Sequence, residues 1–214
     1  MRLTEKILIT LAVIIAVLKF IFIPGSGVFM VFVFCLLSSL YFYFGFALFN
    51  NIRLRHIFKK DSYANVSKSR IIGGIALGLS LSFAVIGFLF KAQRWPGTSF
   101  HLIISIISGV IILIISLIKF FKTKANYYKN ALIRIVISTS ISILILVIPN
   151  LTFVKIRFRN HPKYIEVYER YIKDPSNIDL SNELWLEYKR ATLDDVEFKQ
   201  FLEFEYEELK QQDN

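Results

Sequence analysis

Two lysines in this 214-residue chain stand at the same spacing before a Pro-Gly pair. Lys19 begins the stretch KFIFIPGS, and Lys91 begins the stretch KAQRWPGT, so both read K-x4-P-G-[ST]. Each lysine lies near the end of a long apolar run, where an ammonium group must reach the membrane surface or find a partner. A lysine held inside an apolar bundle would form a polar site, and a strongly desolvated one could exchange a proton. A lysine at the surface would only anchor the turn.

The other residues of the two stretches have clear backbone roles. Proline lacks an N–H and disfavours a helical conformation in the residue before it, so each proline should end a helix. The glycine that follows permits a tight reversal, and the next hydroxyl residue, Ser26 or Thr98, is expected to cap the following helix. Arg94 and Trp95 add a cation and an amphipathic ring of the kind found at membrane interfaces. The candidate site residues are Lys19, Pro24, Gly25, Lys91, Arg94, Trp95, Pro96 and Gly97.

Long apolar runs must position these turns. The chain is 55% hydrophobic with a mean hydropathy of +0.53, which is too apolar for a soluble domain of this size. Runs of about 20 residues match a hydrocarbon core, and in lipid they must be helical. The sequence therefore predicts an all-α, polytopic transmembrane helical bundle in residues 1–151. The predicted spans are residues 7–23, 28–49, 71–90, 101–118 and 131–148.

The two motifs also predict an internal repeat. Each one ends an odd-numbered span, so the first four spans are interpreted as two tandem helical hairpins of the same orientation, followed by a fifth span. On α-helical geometry, Gly74, Gly78 and Ser82 share one face of the third span, and small residues at this spacing let two helices approach closely. Whether that packing is within the chain or between chains is left open by the sequence.

Residues 152–214 differ in composition and predict a soluble helical tail. This segment is rich in acidic and aromatic residues. Pro162 is suited to the first turn of a helix. Ser181 is expected to cap a second helix, and Thr192 with Asp195 resembles a capping box that starts a third, which carries Leu209. Such a tail could cover the membrane domain or bind a partner.

Charge predicts the topology. Residues 1–151 contain only two acids, Glu5 and Asp61, while the segments 50–70 and 119–134 are rich in lysine and arginine. The positive-inside rule then places the N-terminus in the cytoplasm and the tail outside. These cations lie at helix ends and suit contact with the lipid bilayer, and they do not form the basic, aromatic face of a nucleic-acid binder.

The sequence contains no arrangement typical of catalysis or metal binding. His56, His101 and His161 lie in three separate regions, with none of the spacings that metal sites use. We therefore expect no catalytic residues, no metal ligands and no cofactor, and we expect a protein that is not an enzyme.

The segment LFKAQRWPGTSF, residues 89–100, resembles the LFKIxHWPG segment of the GldL family of gliding-motility and type IX secretion motor proteins of the Bacteroidota. The similarity covers residues 71–119 and, more weakly, residues 7–49. It implies an inner-membrane protein in which the lysine ends one transmembrane helix and Trp-Pro-Gly forms the turn into the next. Members of this family form pentamers around a second protein and couple proton flux to motion.

The chain departs from this family at two positions that matter for function. Arg94 stands where the motor proteins have a histidine, and the segment 101–120 lacks their membrane-embedded glutamate; none of the predicted spans contains Asp or Glu. The resemblance thus favours a non-enzymatic component of a bacterial inner-membrane complex, which assembles as a homo-oligomer or with a partner. The alternative is an ion- or proton-conducting transporter that uses the paired Lys–Pro-Gly turns as polar elements.

Overall fold

A computed structural model describes residues 1–21 and 23–212, with side chains described as far as residue 205. Phe22, which belongs to the predicted first span, and the side chain of Leu209 lie outside the described parts, as do the last two residues. The contacts divide the chain into two units, residues 1–148 and residues 149–214. We refer to them as the membrane unit and the tail unit.

The described part of the membrane unit consists of long helices joined by short connections, which confirms the all-α prediction. Two 3-10 turns, Leu54–His56 and Lys60–Tyr63, interrupt the connection between the second and third helices. The helices are α1 (Arg2–Phe20), α2 (Ser26–Phe49), α3 (Lys68–Gln93), α4 (Thr98–Thr123) and α5 (Asn126–Val147).

Four of these helices, α2 to α5, are long and apolar enough to cross a membrane. Helix α1 is not among them, because its 19 residues include four charged ones, Arg2, Glu5, Lys6 and Lys19. The predicted span at residues 7–23 therefore stays a prediction.

Helix α3 is the centre of the membrane unit. It packs against α2, α4 and α5, while α1 packs against α2. Small residues make the contact between α2 and α3 very close: a Cβ atom built on Gly78 would lie 2.4 Å from the carbonyl oxygen of Tyr41. Ser82 lies on the same face, and its Oγ is 2.6 Å from the Oγ of Ser38. The structure thus places Gly74, Gly78 and Ser82 in a helix contact within the chain.

The tail unit consists of shorter helices. Its apolar core includes Val154, Phe158 and Tyr164. Beside this core the buried Glu187 carboxylate forms salt bridges with Lys163 at 2.7 Å and with Arg190 at 2.8 Å. The helices are α6 (Asn150–Arg157), α7 (Pro162–Lys173), α8 (Ile178–Thr192) and α9 (Asp195–Gln212).

Pro162 begins α7 as expected, but two predicted caps were wrong. The side chain of Asn177 caps α8 by accepting from the Leu180 N–H, so Ser181 lies inside the helix. At α9, Asp194 accepts from the backbone N–H of Glu197 at 2.8 Å, and the Glu197 side chain accepts from the Asp194 N–H at 3.3 Å. This is a reciprocal capping box that begins two residues after Thr192. Its pattern is Asp-x-x-Glu, where the sequence analysis expects Thr-x-x-Asp.

Candidate functional site

The two Pro-Gly turns have matching backbone geometry. In the first, the Ile23 N–H donates to the Leu18 carbonyl at 3.1 Å; in the second, the Trp95 N–H donates to the Phe90 carbonyl at 2.9 Å. Each bond runs from a backbone N–H to the carbonyl five residues earlier, as in the Schellman motif that ends many helices. Gly25 and Gly97, with φ values of 77° and 88°, precede the next helices in the left-handed conformation that glycine adopts readily.

The predicted capping role of Ser26 and Thr98 was wrong. Each residue is the first of its helix, and its hydroxyl donates backwards, Ser26 to the Ile23 carbonyl at 2.6 Å and Thr98 to the Trp95 carbonyl at 3.1 Å. A hydroxyl can cap a helix only from the residue before it, and glycine occupies that position in both turns. The two hydroxyls therefore stabilise the Pro-Gly turns and do not cap the helices that follow.

Arg94 and Trp95 complete the second turn. Arg94 has a φ of 61°, which is unusual for a residue with a side chain, and it is the left-handed residue that ends α3. The Trp95 ring meets the Phe90 ring edge-on, with centroids 5.3 Å apart, and remains partly exposed. Both residues thus serve the reversal of the chain between α3 and α4.

Lys19 joins three helices through a glutamine that sequence analysis did not single out. Its Nζ donates to Oε1 of Gln93 at 3.3 Å, and Nε2 of Gln93 donates to the Gly27 carbonyl at 2.6 Å. A Cβ atom on Gly27 would lie 2.8 Å from the lysine Nζ, so glycine leaves the room that the ammonium group occupies. Lys19 and Gln93 therefore tie the end of α1 to α2 and α3.

Lys91 has a different partner, although it occupies the same motif position. Its Nζ donates to the carbonyl of Ile148, the residue that ends α5, at 2.7 Å. A cation at a helix C-terminus satisfies an unpaired carbonyl and interacts favourably with the helix dipole. The two lysines thus lie at the same end of the membrane unit, and each links its own helix to a different neighbour.

The structure also reveals a polar cluster toward the opposite end of the membrane unit, formed by Glu5, Tyr41 and Arg134. Nη1 and Nη2 of Arg134 donate to the two carboxylate oxygens of Glu5, the second at 3.0 Å. The Tyr41 hydroxyl donates to Oε1 of Glu5 at 3.1 Å. Glu5 is only 2% exposed, and the guanidinium of Arg134 also lies over the Phe49 ring at 5.1 Å.

This cluster gives the helix bundle a carboxylate, although none of the predicted spans contains one. Glu5 precedes the apolar run that starts at Ile7, but it belongs to the first turns of α1 and is buried against α2 and α5. The signal in the sequence was Arg134, one turn inside the fifth predicted span. A cation there requires a partner, and Glu5 and Asp61 are the only acids in residues 1–151.

An apolar groove of about 380 Å³ begins at Arg134 and runs between α1 and α5, over α2 and α3. Its walls are mainly aliphatic and aromatic, and Ser138 and Ser142 supply hydroxyls on the α5 side. Neither Lys19 nor Lys91 lines it. On the other side of Arg134, a small polar pocket of about 30 Å³ is lined in part by Arg2 and Asn130.

Comparison of the chain with protein-family models, with curated proteins and with solved structures gives no match.

Proposed function

We propose that this chain is a non-enzymatic component of a bacterial inner-membrane complex, which assembles with further copies or with a protein partner, as the resemblance to the GldL family suggests. The proposal is carried by the contacts of the two motif lysines. Lys19 and Lys91 are both engaged between helices, and neither lines the described groove. Conduction through the paired turns would favour lysines that face a common hydrated cavity.

The matching hydrogen bonds of the two Pro-Gly turns support the further proposal that the first four helices are an internal repeat. In this proposal the N-terminus is cytoplasmic and the tail unit is periplasmic, as the loop cations predict. A phosphatase or a fluorescent protein fused to the C-terminus would test the orientation, because the two reporters are active on opposite sides of the membrane.

The tail unit offers a surface for a partner. Phe204 is 62% exposed and lies on the same helix as Val196, which is 65% exposed. Exposed apolar side chains on a unit rich in charged residues favour protein contact over free solvent. We propose that this helix, α9, is part of the assembly surface.

Native mass spectrometry of the full chain, extracted in mild detergent, tests the assembly proposal. We expect an oligomer or a co-purifying protein, and we expect Phe204→Ser to weaken that association. Phe58→Ser is the matched control, because Phe58 is a fully exposed phenylalanine in the connection between α2 and α3. Monomers alone for the unaltered chain contradict the proposal, and equal association of both variants contradicts the role of α9. Ion flux through proteoliposomes, abolished by Lys91→Met, would favour the transporter alternative.

A further inference from the structure

The groove between α1 and α5 has apolar walls and one polar end. This arrangement suits an amphiphile, a molecule with an apolar chain and a polar head. Its volume of about 380 Å³ lies within the range of small-molecule sites. The walls come from four helices and include Phe34, Val85 and Ile141. Two turns of a helix, about 10 Å in diameter and about 11 Å long, fill roughly 850 Å³, so the groove is too small for a helix and better suited to one extended hydrocarbon chain.

The polar end carries more positive than negative charge. Each of the two NH2 groups of Arg134 donates one hydrogen bond to Glu5. An arginine has five N–H donors, so this contact does not use all of them. Its side chain is 32% exposed, so it still faces outward. Arg2, an exposed residue of the first turn of α1, lines the adjoining polar pocket. Two cations therefore stand against the single carboxylate of Glu5.

Arg134 belongs to both the apolar groove and the polar pocket, and it marks the point where they meet. It lies one turn, about 5 Å, inside the predicted fifth span, where an arginine side chain can reach the headgroup level. Arginine binds phosphate oxygens through paired N–H donors, and the surplus of positive charge favours a phospholipid of net negative charge over a zwitterionic one.

We propose that the groove is a binding site for an anionic bilayer phospholipid. One acyl chain of the lipid occupies the space between α1 and α5, and its phosphate is held at Arg134 and Arg2. The bound chain fills the gap that separates α1 from α5 beyond the Glu5–Arg134 contact. The lipid is thus a structural ligand of the membrane unit.

The test is native mass spectrometry of the full chain in a neutral detergent, with equal amounts of phosphatidylglycerol and phosphatidylcholine. We expect one retained phosphatidylglycerol per chain. Val85→Phe fills the groove and should reduce retention at least about tenfold. Val110→Phe is the matched control, because Val110 is 45% exposed on α4 and lies outside the groove. Arg2→Gln should weaken retention about fivefold, and Arg53→Gln, in the connection after α2, should not.

Ala16→Leu fills the same groove from α1 and serves where Val85→Phe does not fold, as judged by helical circular dichroism and gel filtration. Equal retention of the two lipids overturns the proposal, as does unchanged retention in the groove-filling variants. Retention of a free fatty acid in place of the phospholipid also overturns it.

Discussion

The contact between Glu5 and Arg134 provides a quantitative test of how the membrane unit is held together. We expect Arg134→Gln to lower the free energy of unfolding by about 3–5 kcal/mol, because it leaves the buried Glu5 carboxylate without its cation. Glu5→Gln should cost less than this. The arginine side chain that it leaves behind is 32% exposed, against 3% for the glutamate, and so keeps contact with water.

The double variant Glu5→Gln/Arg134→Gln separates the ion pair from the packing of the two side chains. Removing both charges costs far less than leaving one of them buried and unpaired. We therefore expect the double variant to be more stable than Arg134→Gln alone, with a coupling energy of about 2 kcal/mol between the two positions. The Tyr41 hydroxyl can still donate to an amide oxygen at position 5.

The assay is denaturant unfolding of the full chain in detergent micelles, with the unaltered chain and the three variants of the cycle measured at one ionic strength. The pair Lys155 and Glu169 in the tail unit is the control, because both side chains are more than one third exposed and the coupling of such pairs is below about 1 kcal/mol. A destabilisation by Arg134→Gln of less than about 0.5 kcal/mol would refute the reasoning, and so would additivity of the two single changes.

Two further predictions concern the helix contact and the tail unit. Gly78→Ala should destabilise the membrane unit by about 1–3 kcal/mol, because its Cβ would meet the backbone carbonyl of Tyr41 at 2.4 Å. Gly73→Ala, whose Cβ would meet only the end of a tyrosine side chain at 3.2 Å, is the control, and equal losses in denaturant unfolding would contradict the prediction. In the tail unit, the hydrogen bond and charge of Lys155 lower the pKa of Glu169 below its ordinary value of 4.5. A lowered pKa stabilises the folded state above the unfolded-state pKa, and this contribution is lost as the pH falls through the folded-state pKa. Hydrogen exchange should show α6 and α7 better protected than in Glu169→Gln at pH 7, with a difference that shrinks as the pH falls through the folded-state pKa. A difference that is independent of pH would exclude the ion pair as its cause.

Hydropathy predicts the helices of the membrane unit well but not their ends. The predicted span 71–90 lies inside α3, Lys68–Gln93, and the span 101–118 lies inside α4, Thr98–Thr123. Apolar runs stop where lipid contact stops, whereas backbone hydrogen bonds continue for another turn into polar surroundings. For the same reason Glu5 precedes the predicted span 7–23 but lies inside helix α1.

The contacts of the candidate site were harder to predict, because most of them involve groups that leave no trace in the sequence. Lys91 donates to the backbone carbonyl of a residue 57 positions away, and any residue type could supply that carbonyl. The pair formed by Glu5 and Arg134 spans 129 positions. In that case both residue types are informative, and scarcity of acids in residues 1–151 was the usable signal.

Helix α1 carries more charged residues for its length than the other four helices of the membrane unit, and two of these residues hold it in place. Glu5 near its start contacts α2 and α5, and Lys19 near its end contacts Gln93 of α3. These ties lie 14 residues apart, or about 21 Å along the helix, so together they fix both the position and the tilt of α1. Apolar packing alone gives little preference for one helix neighbour over lipid, because lipid tails are as apolar as the helix surface. The polar ties supply that preference, and they allow α1 to stay in place beside a groove that an acyl chain can enter.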